Sequence, residues 1–181
     1  MGAMQPRIFG PYEPLQRDYP IEEFLGDIAG HGVTRSIYVQ TNWRPGEEVN
    51  ETRWVQSVAD QHGCPSAIVT YADLASDNLS ATLDAHSESP AFRGVRQQLH
   101  WHKKELYRFE ATPDIMNGAM WRKGFAEVAE RGLVFEFSSL PHNSPMVRAS
   151  PRISRRSISC SSMPACLRMY HLPGARPRLR A

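Results

Sequence analysis

The residues whose types and spacing could do chemistry gather in one stretch, FRGVRQQLHWH, at 92–102. Its first eight residues predict a strand over 92–99, and alternation then puts Arg96, Gln98 and His100 on one face and Val95, Leu99 and Trp101 on the other. A strand buried in a parallel sheet is normally apolar on both faces. A row of Arg, Gln and His on one face instead suggests the interior of a barrel near its open end, where polar groups meet a substrate. The Arg96 guanidinium could grip a carboxylate through two parallel hydrogen bonds, or it could pair with an acid on a neighbouring strand. His100 and His102 share a face of an extended segment, which suits catalytic proton carriers or metal ligands. Lying beside Lys103 and Lys104, they also suit a solvated loop.

Two further strand ends are polar. Gln40 and Asn42, with Trp43, follow a β-branched segment at 33–41, and Gln40, Asn42, Arg96 and Gln98 form the candidate substrate-binding set. Asp73 closes a second strand at 66–74 and serves equally well as a turn former or as an acid. Trp101, Tyr107 and Phe109 read as loop packing.

The elements that must position these residues alternate. PIEEFLGDIAGHG starts with Pro20, places Ile21, Phe24, Leu25 and Ile28 on one face and stops at Gly32. The next helix pattern turns Val49, Trp54, Val55 and Val58 inward and stops at Gly63. A third helix carries Leu79 and Leu83 with Ser76 and Asp77 as candidate caps. MWRKGFAEVAERG is the fourth, ending at Gly132, and LVFEF at 133–137 is a fourth strand. Alternating strands and amphipathic helices predict parallel βα units, hence a barrel or a doubly wound sheet. Neither a G-x-G-x-x-G nor a G-x-x-x-x-G-K-[ST] fingerprint follows any strand, which removes those nucleotide-binding classes. In βα folds ligands gather at the C-terminal ends of strands, where the candidate residues lie.

Composition bounds the rest. The 181 residues suit one domain or part of a larger one. Three widely spaced cysteines, Cys64, Cys160 and Cys166, make no disulfide framework, and the N-terminal stretch lacks the pattern of a signal peptide. No apolar run is long enough to span a membrane. A cytoplasmic protein acting on a small-molecule substrate, with no membrane partner, is the expectation; the oligomeric state stays open.

At YADL, FRGVRQQLHWH and GLVFEF the chain resembles the amidohydrolase superfamily, specifically its metal-dependent TIM-barrel hydrolases related to sugar lactonases and 2-pyrone-4,6-dicarboxylate lactonase. The segment from Arg7 to Trp43 is similar to the part of that family that follows its first strand, and the resemblance covers about residues 6–137. It implies an α/β fold, an incomplete (β/α)8 TIM barrel holding about strands 2 to 5. It also implies hydrolysis of a lactone, ester or amide of a small carboxylated or sugar-derived substrate, with a divalent metal, Zn or Mn, in those members that use one. The family's H-x-H at the end of its first strand would lie upstream of Gln5 and is not present. His31 is the first histidine and falls in a helix, and His100-Trp101-His102 follows a different strand. No metal is therefore expected on this chain. Past Phe137 the resemblance stops, where the family continues with four more βα units, a strand-end His in an HAG context and a late Asp.

The stretch 138–181 differs in kind. It carries eight arginines, nine serines and six prolines without a lysine or an acid, whereas 1–137 holds all 19 acids and 13 of the 21 Lys and Arg. One reading makes it a basic arm on a non-catalytic fragment or nucleic-acid-binding module. Against a nucleic-acid partner, Tyr170 is the arm's sole aromatic residue. The other makes it a frameshifted translation of the missing continuation. Met163 is ATG and Pro164 begins CC, so a shifted codon across them reads GCC, alanine, without freedom. A Ser162 codon ending in C makes the preceding shifted codon histidine, and the next two permit Gly and Met: His-Ala-Gly-Met. On this reading 1–137 is a partial amidohydrolase barrel domain and 138–181 a disordered Arg/Ser/Pro-rich tail. Half a barrel leaves strand edges unpaired, so the chain as it stands is expected to be inactive and prone to aggregate.

Overall fold

The computed structural model describes residues 17–138 and 158–160; expectations that fall elsewhere lie outside the described residues. Helices and strands alternate along the chain. Helix α1 (Ile21–Ile28) precedes strand β1 (Ile37–Val39), then α2 (Glu48–His62), β2 (Ala67–Tyr71), α3 (Leu79–Ser87), β3 (Phe92–Gln98), α4 (Ala119–Glu130) and β4 (Val134–Ser138). Every strand pair is parallel and the spatial order is the chain order, β1-β2-β3-β4. A doubly wound sheet reverses its strand order at a switch point, whereas sequential order is how a (β/α)8 barrel winds. The sheet is therefore arranged as part of such a barrel. A three-residue strand, β5 (Ile158–Cys160), pairs parallel with β4, so the stretch expected to be a disordered tail contributes one strand.

Local chemistry explains the elements. Helix α2 ends at Gly63, whose φ of 70° is the left-handed cap that glycine takes without a Cβ penalty. Two sequence expectations are corrected. Helix α3 starts at Leu79 with Asn78 as its N-cap and no side-chain cap bond, rather than at Ser76 or Asp77. The Ser76 hydroxyl instead accepts the Asn78 N–H at 3.2 Å, closing a local turn before the helix. Trp54, expected inward, is 52% exposed, because α2 turns Glu51, Thr52 and Val55 toward the sheet. Its ring packs instead on Trp43, 5.6 Å between centroids.

The core lies between the sheet and helices α3 and α4, and includes Leu74, Leu79, Leu83, Phe92, Val95, Leu99, Trp121, Val128 and Phe135. Trp121 stacks on Phe125 at 5.5 Å and meets Phe135 edge-on at 5.8 Å. Two glycines set the spacing. A Cβ on Gly124 of α4 would stand 2.1 Å from the Leu74 carbonyl oxygen, so the helix seats directly on the turn after β2. A Cβ on Gly94, the glycine of FRGVR, would stand 2.2 Å from the Val134 carbonyl oxygen of β4. His86 is fully buried and donates its Nε2–H to the Tyr71 carbonyl at 3.1 Å. Its Nδ1 therefore accepts the Thr52 hydroxyl at 2.9 Å, tying α3, α2 and the end of β2 together.

Candidate functional site

The C-terminal end of β1 is held by a buried carboxylate. Oε1 of Glu51, on α2, accepts the Tyr38 hydroxyl at 2.7 Å, the Thr41 N–H at 3.0 Å and the Thr41 hydroxyl at 3.2 Å. Three donors on one oxygen make a buried charge tolerable. Asn42 then turns into the left-handed region (φ 60°), which asparagine enters more readily than most residues. Its N–H donates to Oε1 of Gln40 at 2.6 Å. Gln40 is 2% exposed and, among the described residues, its Nε2 makes no hydrogen bond.

The connection after β3 is long and folds back on itself. The His100 carbonyl accepts both the Phe109 N–H (2.8 Å) and the Glu110 N–H (3.1 Å), so the loop from 101 to 108 is pinched shut at its base. Within it the His102 carbonyl takes the Arg108 Nε–H at 3.0 Å, and His102 Nδ1 accepts the Lys104 N–H at 3.0 Å. The pinch returns Glu110 to the end of the sheet. There its Oε1 accepts the Nε2–H of Gln97 at 3.0 Å, while Gln97 Oε1 accepts the indole N–H of Trp121 at 2.9 Å. Gln97 and Trp121 are both buried.

These features border a cavity of about 400 Å³ at the C-terminal ends of β1, β2 and β3. Asn42, Trp43, Tyr71, Gln98, Phe109 and Glu110 line it, with Glu48 and Glu51 at the α2 side. Burial pushes the Glu110 carboxyl up from 4.5 to about 7; the nearby Asp73 adds to the rise and the Gln97 N–H opposes it. Burial likewise raises Tyr71 to about 12, with Asp73, Glu110 and Glu48 adding their charge. His100 is held below its usual value by burial and by the Arg96 charge, which keeps it neutral at physiological pH.

Of the sequence-derived residues, Asn42 and Gln98 line this cavity and Gln40 braces Asn42 from behind. Arg96 shares the β3 face of Gln98, opposite the buried face of Val95, Gln97 and Leu99. It stands in register with Glu136 of β4, Nε to Oε1 3.7 Å, so the neighbouring-strand acid left open by the sequence is present. His100 meets Phe109 edge-on at 5.5 Å, and His102 meets Tyr107 at 5.1 Å inside the loop. Among the described residues no group of three or more His, Cys, Asp or Glu could hold a metal. Asp73 accepts the Ala75 N–H at 2.9 Å, its turn-forming role. Sequence reading passed over Glu110, Gln97 and Tyr71. The available signal for Glu110 was the length of the connection between β3 and α4, since long irregular loops in compact domains tend to be functional.

A parallel sheet in sequential order with a polar cavity at its strand ends is the arrangement of part of a (β/α)8-type domain. Comparison with known proteins narrows it. An uncharacterized protein of Sinorhizobium fredii, y4mH, is 34% identical over 134 residues, 74% of this chain and 45% of that protein. The L-fucono-1,5-lactonase of Burkholderia ambifaria is 30% identical over 87 residues, 48% of this chain and 29% of that enzyme. An amidohydrolase of Burkholderia multivorans, solved with bound Zn, superposes with a TM-score of 0.60 at 24% identity, over 75% of this chain and 44% of that one. A probable 2-pyrone-4,6-dicarboxylic acid hydrolase of Acinetobacter baumannii, solved with citric acid bound, superposes with a TM-score of 0.52 at 15% identity, over 80% and 49%. No protein-family profile matches the chain. The chain thus shares the fold of these amidohydrolases and is similar in sequence, over part of its length, to a lactonase. It spans less than half the length of the curated relatives it matches. Among the described residues no helix is long and apolar enough to cross a membrane.

Proposed function

We propose that the chain is a portion of an amidohydrolase-type hydrolase that opens a lactone, or cleaves an ester or amide, of a small carboxylated or sugar-derived substrate. The observation that carries this reading is the cavity at the ends of β1–β3, on a sheet that superposes on amidohydrolases. Its lining mixes aromatic walls (Trp43, Tyr71, Phe109) with polar groups (Asn42, Gln98), which suits a compact oxygenated molecule. Arg96 is the candidate anion-binding residue of this reading. Its partner Glu136 offsets that charge, so substrate would engage it through guanidinium nitrogens turned from the carboxylate. His100, held below its usual value by burial and the Arg96 charge, is the candidate proton carrier among the histidines, and His102 serves by shaping the loop.

The remaining barrel strands are needed to enclose the substrate, so the 181-residue chain is inactive by itself and gains turnover when extended by the second half of the barrel. The test is proton release from hydroxy-acid lactones, and cleavage of the matching esters and amides, by both forms. Turnover confined to the extended protein is expected. An extended, folded protein with no hydrolysis of any of the three overturns the reading, and turnover by the shorter chain overturns its inactivity. In the extended form Arg96→Ala should raise KM for carboxylated substrates by at least tenfold, about 1.4 kcal/mol; unchanged kinetics would remove Arg96 from the site.

A further inference from the structure

We propose that Glu110 is the proton-exchanging group of this cavity, with Oε1 locked as an acceptor by the Trp121–Gln97 chain and Oε2 left to carry the proton. The geometry follows from what each group can donate. An indole N–H can only donate. Trp121 therefore compels Gln97 to present its carbonyl oxygen to the indole and its amide nitrogen to Glu110. That nitrogen can only donate too, so Glu110 Oε1 cannot hold a proton toward it. The carbonyl oxygen of a protonated carboxyl is its better acceptor, so the Gln97 bond to Oε1 favours the hydrogen on Oε2. Gln97 is 1% exposed and Trp121 3% exposed, so the arrangement does not reorganise freely. The double hydrogen bond to the His100 carbonyl fixes the backbone of Glu110 against the end of β3. Gln97 and Trp121 are positioning residues; Glu110 is the one that faces the cavity.

Asp73 is the neighbouring charge that adds to the rise of the Glu110 carboxyl, and the Gln97 N–H opposes it. Asp73 and Tyr71 stand at the end of β2, and Glu48 and Glu51 on α2 border the same cavity. Burial, with Asp73 adding to it, holds the carboxyl near 7, where a general acid–base group is most effective at neutral pH.

The chemistry rests on the hydrolase reading. As a water oxygen bonds to the substrate carbonyl carbon, the carbonyl electron pair moves to oxygen and the water's proton passes to Glu110 Oε2. When that oxyanion re-forms the carbonyl, the bond to the leaving oxygen breaks, and the leaving oxygen takes the same proton from Oε2. One water is added across the acyl–oxygen bond and Glu110 returns unchanged.

Two measurements on the 181-residue chain test the assignment without requiring turnover. The first is carbodiimide coupling to glycine ethyl ester near neutral pH, which selects carboxyls that still hold a proton, followed by peptide mass mapping. Glu110 should be the most heavily labelled of the 19 acids, and labelling spread evenly, or absent at Glu110, overturns the proposal. The second follows the indole ¹⁵N–H resonance of Trp121 with pH. It should shift with a midpoint near 7, lose the transition in Glu110→Gln, and move to higher pH in Gln97→Met, which removes the donor that favours the carboxylate. A transition that survives Glu110→Gln, or a midpoint unmoved by Gln97→Met, also overturns it. In the extended protein, Glu110→Gln should cut kcat by at least a hundredfold with little change in KM. If both titration results hold and wild-type extended protein hydrolyses nothing, the hydrolase reading falls and the acid–base assignment stands.

Discussion

Replacing Glu110 by glutamine should make the protein more stable at alkaline pH and leave it unchanged in acid. The folded state holds the Glu110 carboxyl at about 7 against 4.5 for an unhindered glutamate. A raised carboxyl binds its proton more tightly folded than unfolded, so its contribution is fully present below the unfolded value and is lost as pH rises through the folded one. The shift corresponds to an upper value of about 3 kcal/mol at about 1.4 kcal/mol per pH unit. Because the carboxyl is partly open to the cavity, solvent screening lowers the expected penalty to about 1–2 kcal/mol. In Glu110→Gln the new side-chain amide would keep an acceptor for the Gln97 N–H and carry no charge. Urea unfolding of both proteins across the pH range measures the difference: the curves should coincide in acid, diverge between 4.5 and about 7, and run parallel beyond. Curves parallel throughout, or a variant less stable at alkaline pH, would refute the account of Glu110 as a carboxyl penalised by burial.

Three other outcomes are expected. Gly94→Ala should destabilise by about 1–3 kcal/mol in the same assay, because overpacking at this spacing must push β4 away from β3. His86→Leu should cost about 1–3 kcal/mol by removing the buried donor to the Tyr71 carbonyl and the acceptor of the Thr52 hydroxyl, which is left with the Glu48 carbonyl. Burial also lowers the His86 pKa below 6.5, so wild-type stability from this group is present above that pH and declines as pH falls through the depressed value, a slope the Leu variant lacks. We further propose that 138–181 is the product of a shifted reading frame; sequencing the gene should find a one- or two-base correction near codon 138 that opens a frame with His-Ala-Gly and further βα units, and an intact frame as printed would refute it.

Much of the fold was legible from local pattern. Helix stops at glycine, β-branched runs and the 3.6-residue period placed α1–α4 and β1–β4 within a few residues, because those signals act over one or two turns of chain. Trp54 was misplaced for the same reason: α2 has polar residues on its buried side, and only the neighbours Tyr38, Thr41 and His86 make Glu51 and Thr52 tolerable there. The sequence by itself determined that β3 would show Arg96 and Gln98 on one face and Val95 and Leu99 on the other, since alternation is a property of an extended backbone. The glycine of FRGVR stood in plain view there, but its reason, the Val134 carbonyl, lies a strand away. Only the tertiary structure decided that Glu110 belongs to the strand-end cavity. Its place depends on a loop pinched at the His100 carbonyl and on a buried Trp121 that dictates which end of Gln97 meets the carboxyl. Those are contacts between residues that no periodicity relates, and the burial that raises the carboxyl exists only once α4, β3 and the loop have packed together.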